Sequence, residues 1–288
     1  MIDITTIPND RPVLIVGPTA SGKTSLAIAI ARAQTRPIVN ADALQVYDGW
    51  RVLTARPTPR EEAQASHHLY GHVPFGAAYS VGHWLRDLRP YLSQNPIIVG
   101  GTGLYFHALT HGLADIPATP PAIRAQADAL PLEQLLAELD AGDPTLATRI
   151  DRKNRARVQR GWEVLRATGT PLSDWQARTG APLLPLAETT ALALAPDRDW
   201  LNTRIAQRFD QMITQGALEE ARANLPDWPN AGGARKAIGA PELIAHLQGQ
   251  LPLSDARDAA ILASRQYAKR QRSWQRSNTA QWTQIHLP

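Results

Sequence analysis

The run Gly17-Pro18-Thr19-Ala20-Ser21-Gly22-Lys23-Thr24 constrains this chain more than any other feature. It fits the pattern G-x-x-x-x-G-K-[ST]. It lies between an apolar stretch, Val13–Val16, that reads as a buried strand, and Ser25–Ala33, which reads as a helix. In that setting the loop N–H groups converge on phosphate oxygens and the following helix offers its positive end. Lys23 adds a point charge. The Thr24 hydroxyl suits Mg2+, the cofactor expected here. Such a loop calls for a diphosphate or a nucleoside triphosphate such as ATP. It does not name a reaction.

The rest of the chain supplies a sheet for that loop to sit in. Ile38–Val39 reads as a second strand, and Ile97-Ile98-Val99 as a third that runs into Gly100-Gly101-Thr102-Gly103. Val81–Leu92 reads as a helix between them. Strands alternating with helices predict an α/β fold: a P-loop core with a parallel sheet flanked by helices. The texture changes at Leu113. Ile116–Pro121 reads as a Pro-rich linker, residues from about Ala122 to Pro185 read as helical throughout, and Ala191–Ala195 returns to a strand. Long helical patterns then run to Trp274. The expected division is a catalytic core from 1–121 and 191–288, interrupted by a helical insertion domain over 122–190.

A small-molecule or nucleotide kinase is the natural rival for such a loop. A kinase of that kind needs a second metal-binding acid at the end of a nearby strand. The strand at 97–99 ends in glycines and a threonine instead. The acid stands after the second strand, in Asn40-Ala41-Asp42-Ala43-Leu44-Gln45-Val46-Tyr47. Carboxyl ends of strands line the ligand crevice of an open α/β sheet, so Asp42 belongs near the phosphate loop. There it could take a proton from a nucleophile, or simply cap a short helix.

Taken together, Gly-Pro-Thr-Ala-Ser-Gly-Lys-Thr, Asp-x-x-Gln-Val-Tyr at 42–47 and Gly-Gly-Thr-Gly-Leu-Tyr at 100–105 resemble the tRNA dimethylallyltransferase (IPP transferase) family. The likeness continues through His67-His68-Leu69, Ala78-Tyr79-Ser80, Arg204–Met212 and Arg265-Gln266-x-Ala268-Lys269-Arg270-Gln271-x-x-Trp274. It spans nearly the whole chain in the family's order. Plant adenylate isopentenyltransferases share the first blocks, but the long insertion and the Lys-Arg-Gln segment favour the tRNA enzyme. The resemblance implies transfer of a dimethylallyl group from dimethylallyl diphosphate to the exocyclic amine of the adenine 3′-adjacent to the anticodon. It makes Asp42 the general base and places Thr102 opposite it at the reacting centre. Gly17–Thr24 and Arg208 would then hold the diphosphate, with Mg2+ at Thr24. Without the resemblance, Arg204 and Arg208 read as a solvated helix face. Some positions depart from the family: Ala43 stands for Ser, Gly71 for Asp, Ala240 for Tyr and Leu53 for Gly. None of them is Lys23, Asp42 or Thr102; they bear on base recognition.

Two segments have the composition of a single-stranded RNA site. Arg149, Arg152, Lys153, Arg155, Arg157 and Arg160 face one acid, Asp151. Arg265, Lys269, Arg270, Arg272 and Arg276 face none, with Trp274 as a stacking surface and Gln271 as a hydrogen-bonding amide. Charges like these also serve as a solvated face, and Trp274 as a core contact. The resemblance implies that the base meets Asp42, Ala43, Leu44, Gln45 and Thr102. It assigns the RNA contacts to Arg124, to Ala156, Arg157, Val158, Gln159 and Arg160, to the segment 236–241 beginning at Lys236, and to Lys269, Arg270, Gln271, Trp274 and Arg276. The partner is the anticodon stem-loop.

Bulk properties set limits. Only Lys23, Lys153, Lys236 and Lys269 are lysines among 30 basic residues; the rest are Arg, suited to forked phosphate contacts. The net charge of +4 permits a polyanion without requiring one. No cysteine is present, which excludes disulfides and thiolate metal sites. No apolar run approaches a membrane span, and Met1 to Pro12 carries no signal-peptide pattern. A cytoplasmic monomer with no membrane partner is expected. His67-His68 lacks companions for a metal site and is expected to pack or to bond phosphate.

Overall fold

The structure, a computed structural model, describes residues 3–288; Met1 and Ile2, the start of the expected core and of the stretch to Pro12, lie outside them. The chain divides into two compact units, Met1–Thr110 with Leu183–Pro288, and His111–Pro182.

The first unit is built on a six-stranded, wholly parallel sheet. Its strands are β1 (Val13–Val16), β2 (Ile38–Asn40), β3 (His67–His68), β4 (Ile97–Gly100), β5 (Thr190–Pro196) and β6 (Thr283–Leu287), in the spatial order β3-β2-β4-β1-β5-β6. Side chains alternate between faces along each strand. Val13 and Ile15 therefore join Ile38, Ile97, Val99, Leu192 and Leu194 on one face, against Ile28 and Ile30 of the Lys23–Gln34 helix. Leu14 and Val16 join Val39, Ile98 and Ala193 on the other, against Trp84, Leu88, Phe106 and Leu109. Burial on both faces is why β1 and β4 read as unbroken apolar runs.

The expected strands and the α/β class stand, and the structure corrects three details. Val81–Leu92 is an α-helix only to Leu88 and continues as a 3-10 helix, Arg89–Gln94, with Pro90 at its start. β3 was read as a histidine pair. β6 was not read as a strand at all: most of Thr283–Leu287 is exposed, and it is held by backbone pairing to β5 rather than by an apolar pattern.

The second unit is a helical cluster, Pro121–Ala129, Leu132–Gly142 and Arg155–Thr168 with two short helices. They close over Leu135, Leu139, Val158, Trp162 and Val164. Its boundaries fall at 111 and 182 instead of 122 and 190. Leu183, Leu184 and Leu186 pack in the core beside the sheet, and Leu184 N–H donates to Leu109 O. Helix ends at Ala177, so 178–185 is not helical as expected.

Candidate active site

Three adjacent strands deliver the site. β1 ends in the Gly17–Thr24 loop, β2 in Asn40-Ala41-Asp42, and β4 in Gly100-Gly101-Thr102. The loop turns into its helix through Gly22 at φ 88°, a left-handed conformation that favours glycine. The β2 and β4 ends are stitched together beyond the sheet. Ala41 N–H donates to Val99 O at 2.8 Å, Thr102 N–H to Ala41 O at 3.2 Å, and Ala43 N–H to Thr102 Oγ1 at 2.9 Å. Register thus brings Asp42 and Thr102 together although sixty positions separate them.

Asn40, fully buried, fixes the Asp42 backbone. Its Oδ1 accepts the Asp42 N–H at 2.8 Å, and its Nδ2 donates to Asp42 O and Leu69 O. The Asp42 carboxylate accepts the Leu44 N–H through Oδ1 at 3.0 Å, a local turn with no helix behind it. Asp42 also lines a cavity of about 560 Å3 with Thr19, Lys23, Thr24, Arg204 and Arg208. The site's cations therefore converge on one space with Asp42. Arg204 is held by donating Nε–H to Ala20 O at 3.0 Å and by stacking on Trp200; neither it nor Arg208 belongs to a merely solvated face. Burial, with Arg204 as a like-charged neighbour, holds Arg208 below its ordinary range. Burial and the nearby Arg208, partly offset by Asp42, bring Lys23 down to about 8. A site that destabilises its own cations in this way is prepared for an anion.

Gln271 of the Leu253–Asn278 helix is the residue whose role the sequence concealed. It is 8% exposed, so its amide is not offered to RNA. Its Oε1 accepts the Thr19 N–H at 2.9 Å and its Nε2 donates to Gly101 O at 3.0 Å. One carboxamide thus ties the β1 loop to the β4 turn. The glycines of that turn make room for this helix: a Cβ on Gly101 would collide with Gln271, and one on Gly103 with the Trp274 ring. Gly-Gly-Thr-Gly is a helix-docking surface, and the Trp274 ring is partly covered by it.

Other expected RNA contacts separate in the same way. Val158 is fully buried in the second unit's core and cannot reach a ligand. Gln159 donates to Asp128 and Glu163, Arg160 to Thr119, and Arg124 to Glu163 at 3.0 Å. Gln45 commits its amide hydrogens to Thr54 O and Ala55 O. Ala43 and Leu44 are half-buried, while Ala156, Arg157, Lys236, Lys269, Arg270 and Arg276 are exposed. His67 bonds Ala65 O, and the His68 ring packs on Tyr91. The sequence reading also missed Tyr267, which lines a small recess with Asp42 and which burial holds well above its ordinary range. Among the described residues no helix is long and apolar enough to cross a membrane.

A parallel α/β sheet, a cationic loop at β1 and an acid at β2 define a class of protein that handles a phosphorylated ligand at the carboxyl edge of the sheet. The family model described as IPP transferase matches residues 45–278, and one described as isopentenyl transferase matches residues 11–70. A tRNA dimethylallyltransferase of Jannaschia sp. is 73% identical over 288 residues, covering 100% of both chains. One of Cereibacter sphaeroides is 60% identical over 98% of both. Among solved structures, a tRNA isopentenylpyrophosphate transferase of Bacillus halodurans superposes with a TM-score of 0.67 at 31% identity, over 96% of this chain and 90% of that one. A eukaryotic dimethylallyltransferase acting on tRNA shares the fold, with a TM-score of 0.82 at 24% identity, over 96% of this chain and 74% of that one. The chain belongs to the IPP transferase family.

Two outcomes follow from this geometry. Gln271→Ala leaves the Thr19 N–H and Gly101 O without their partner, which is expected to cost about 1–3 kcal/mol of stability and to weaken inorganic diphosphate binding. Gln271→Glu, which keeps the acceptor for Thr19, is expected to lie between. Denaturant titration with calorimetric diphosphate binding checks this, and a wild-type Gln271→Ala on both counts contradicts it. The second concerns Lys23. Only its protonated form attracts an anion, and a bound anion raises its pKa again. Diphosphate affinity is therefore full below pH 8 and falls as pH rises through about 8. Calorimetry at about pH 8.5 in buffers of different ionisation enthalpy is expected to show proton uptake that Lys23→Met removes; uptake unchanged in that variant assigns it elsewhere.

Proposed function

We propose that this chain transfers the dimethylallyl group of dimethylallyl diphosphate to the exocyclic amine of the adenine 3′-adjacent to the anticodon of tRNAs, releasing diphosphate. The observation that carries the reading is the meeting of Lys23, Arg204, Arg208 and Asp42 at one cavity, with the Thr102 turn bonded to Ala43 beside Asp42, in a chain so close to curated tRNA dimethylallyltransferases. The acid stands at the end of β2, where it can serve a nucleophile. The β4 turn offers a hydroxyl where a kinase of the rival kind would need an acid.

In the proposed step the allylic C–O bond breaks and its electron pair leaves with the diphosphate. The amine nitrogen bonds the allylic carbon, and its proton passes to Asp42. Lys23 and Arg208 offset the charge that grows on the leaving group, in a recess where water screens little. Thr102, whose hydroxyl accepts the Ala43 N–H, is proposed to sit at the reacting centre with Asp42. The donor set suits Mg2+: the Thr24 hydroxyl is a hard oxygen ligand lining the cavity with Asp42, and the buried Ser21 Oγ in the same loop has no protein partner. When bound, Mg2+ would supply further charge to the departing diphosphate. The exposed Lys269, Arg270 and Arg276 in one unit and Arg124 and Arg157 in the other are the proposed tRNA phosphate contacts. The proposed location of this activity is the cytoplasm.

Asp42→Asn tests the assignment. Asn retains the acceptor that the Leu44 N–H uses, so the turn and the melting temperature are expected to stay near wild type. It cannot take the proton, and single-turnover transfer at saturating tRNA is expected to fall by roughly 10²–10⁴. A folded variant with a near-normal rate removes Asp42 from the chemistry.

A further inference from the structure

Beside Asp42 and Arg208 lies a second, narrower recess, shared with the main cavity through Thr19, Ala20, Asp42, Thr54, Ala55, Arg208 and Met212. The rest of its wall is mainly apolar, from Leu44, Leu53, Ile205, Phe209 and Ile238, with Ser264 and Tyr267 beside them. Its volume is about 60 Å3. On that measure a single water needs roughly 10–15 Å3, so the recess admits a handful of heavy atoms and no more. It has the character of a site for a short apolar chain whose charged end stays among the cations.

The wall formed by Leu53 and Phe209 is rigid. Leu53 and Phe209 are 4% and 3% exposed and belong to the core around Trp50. Gly239 packs against both of them. Leu53 is also fixed through its backbone: the Glu220 carboxylate accepts the N–H groups of Arg51, Val52 and Leu53 in succession, at 2.5, 2.9 and 2.9 Å. Asn224, one turn further along the Ala217–Asn224 helix, donates to Gly49 O at 2.7 Å. The segment carrying Leu53 is therefore pinned at both ends of its turn. A close-packed wall of this kind does not yield to a longer chain without displacing side chains from their rotamers.

We infer that Leu53 and Phe209 set the length of the prenyl chain this protein accepts, admitting five carbons and rejecting ten. The inference rests on the transferase reading above. It makes both residues specificity determinants that act by volume; neither takes part in the chemistry.

The test compares dimethylallyl and geranyl diphosphates as donors to tRNA, in wild type, Leu53→Ala and Ser264→Leu. Wild type is expected to favour the five-carbon donor in kcat/KM by roughly a hundredfold or more, the scale on which a shaped apolar pocket discriminates. Leu53→Ala opens that wall and is expected to cut that preference about tenfold or more. Ser264 lines the same recess from the half-buried face of its helix, so Ser264→Leu fills it without emptying the core. That variant is expected to lose five-carbon transfer while binding inorganic diphosphate as wild type does. It keeps the inference testable if Leu53→Ala does not fold. Equal use of both donors by wild type overturns the inference and leaves the transferase reading standing. So does an unchanged preference in folded Leu53→Ala, or unchanged five-carbon transfer in Ser264→Leu. A wild type that moves neither chain to tRNA overturns the transferase reading, and the inference with it.

Discussion

The Gln271 carboxamide accepts the Thr19 N–H and donates to Gly101 O, and the arrangement of the site depends on that pair of bonds. The β1 loop and the β4 turn come from strands that pair directly, but strand pairing fixes them only as far as Val16 and Gly100. Beyond that edge the loop is tied to β4 by one backbone bond, Gly17 N–H to Gly100 O, and the turn is tied to β2 instead, through Thr102 N–H to Ala41 O. Gln271 closes the gap from outside the sheet, and Ala43 N–H to Thr102 Oγ1 closes the corresponding gap between β2 and β4. Because a buried amide that loses its partner retains the full desolvation cost, the two bonds select one arrangement of loop and turn. The helix that supplies Gln271 also exposes Lys269, Arg270 and Arg276. The element proposed to meet tRNA phosphates is thus the element that positions the Gly17–Thr24 loop.

The charges at the site are arranged for a ligand more than for stability. Burial disfavours the charge on both Lys23 and Arg208; Arg208 adds to the effect at Lys23 and Arg204 to that at Arg208, and Asp42 only partly offsets it. A bound anion would offset that cost. The same loop chemistry serves a nucleotide in many phosphate-loop proteins, and the loop by itself does not separate the two uses. What separates them here lies at the other strand ends: a carboxylate after β2, and a hydroxyl and glycines after β4.

Much of this was legible in the residues. Val13–Val16, Ile97–Val99 and Ala191–Ala195 announce buried parallel strands because both faces of the sheet are covered. The phosphate loop is legible because its chemistry tolerates few residue types. β6 was not, because an edge strand bonded through its backbone needs no apolar pattern. Gln271 and Val158 were misread for a common reason. Both sit in strongly basic segments, but a helix turns 100° per residue, so a charged neighbourhood in sequence includes positions that face inward. The packing role of Gly101 and Gly103 was hidden because it depends on a helix distant in sequence. Leu53 could be noted as a departure from its family, but only packing shows that it walls a recess.

The central claim is that the phosphate loop holds a leaving group and not a phosphoryl donor. Incubation with dimethylallyl diphosphate labelled in the prenyl chain and unmodified tRNA, beside a parallel incubation with γ-labelled ATP and small-molecule acceptors, tests it directly. The account predicts label on tRNA, at the adenine beside the anticodon, with release of diphosphate and no transfer from ATP. Phosphoryl transfer from ATP to an acceptor, with tRNA left unlabelled, would contradict it.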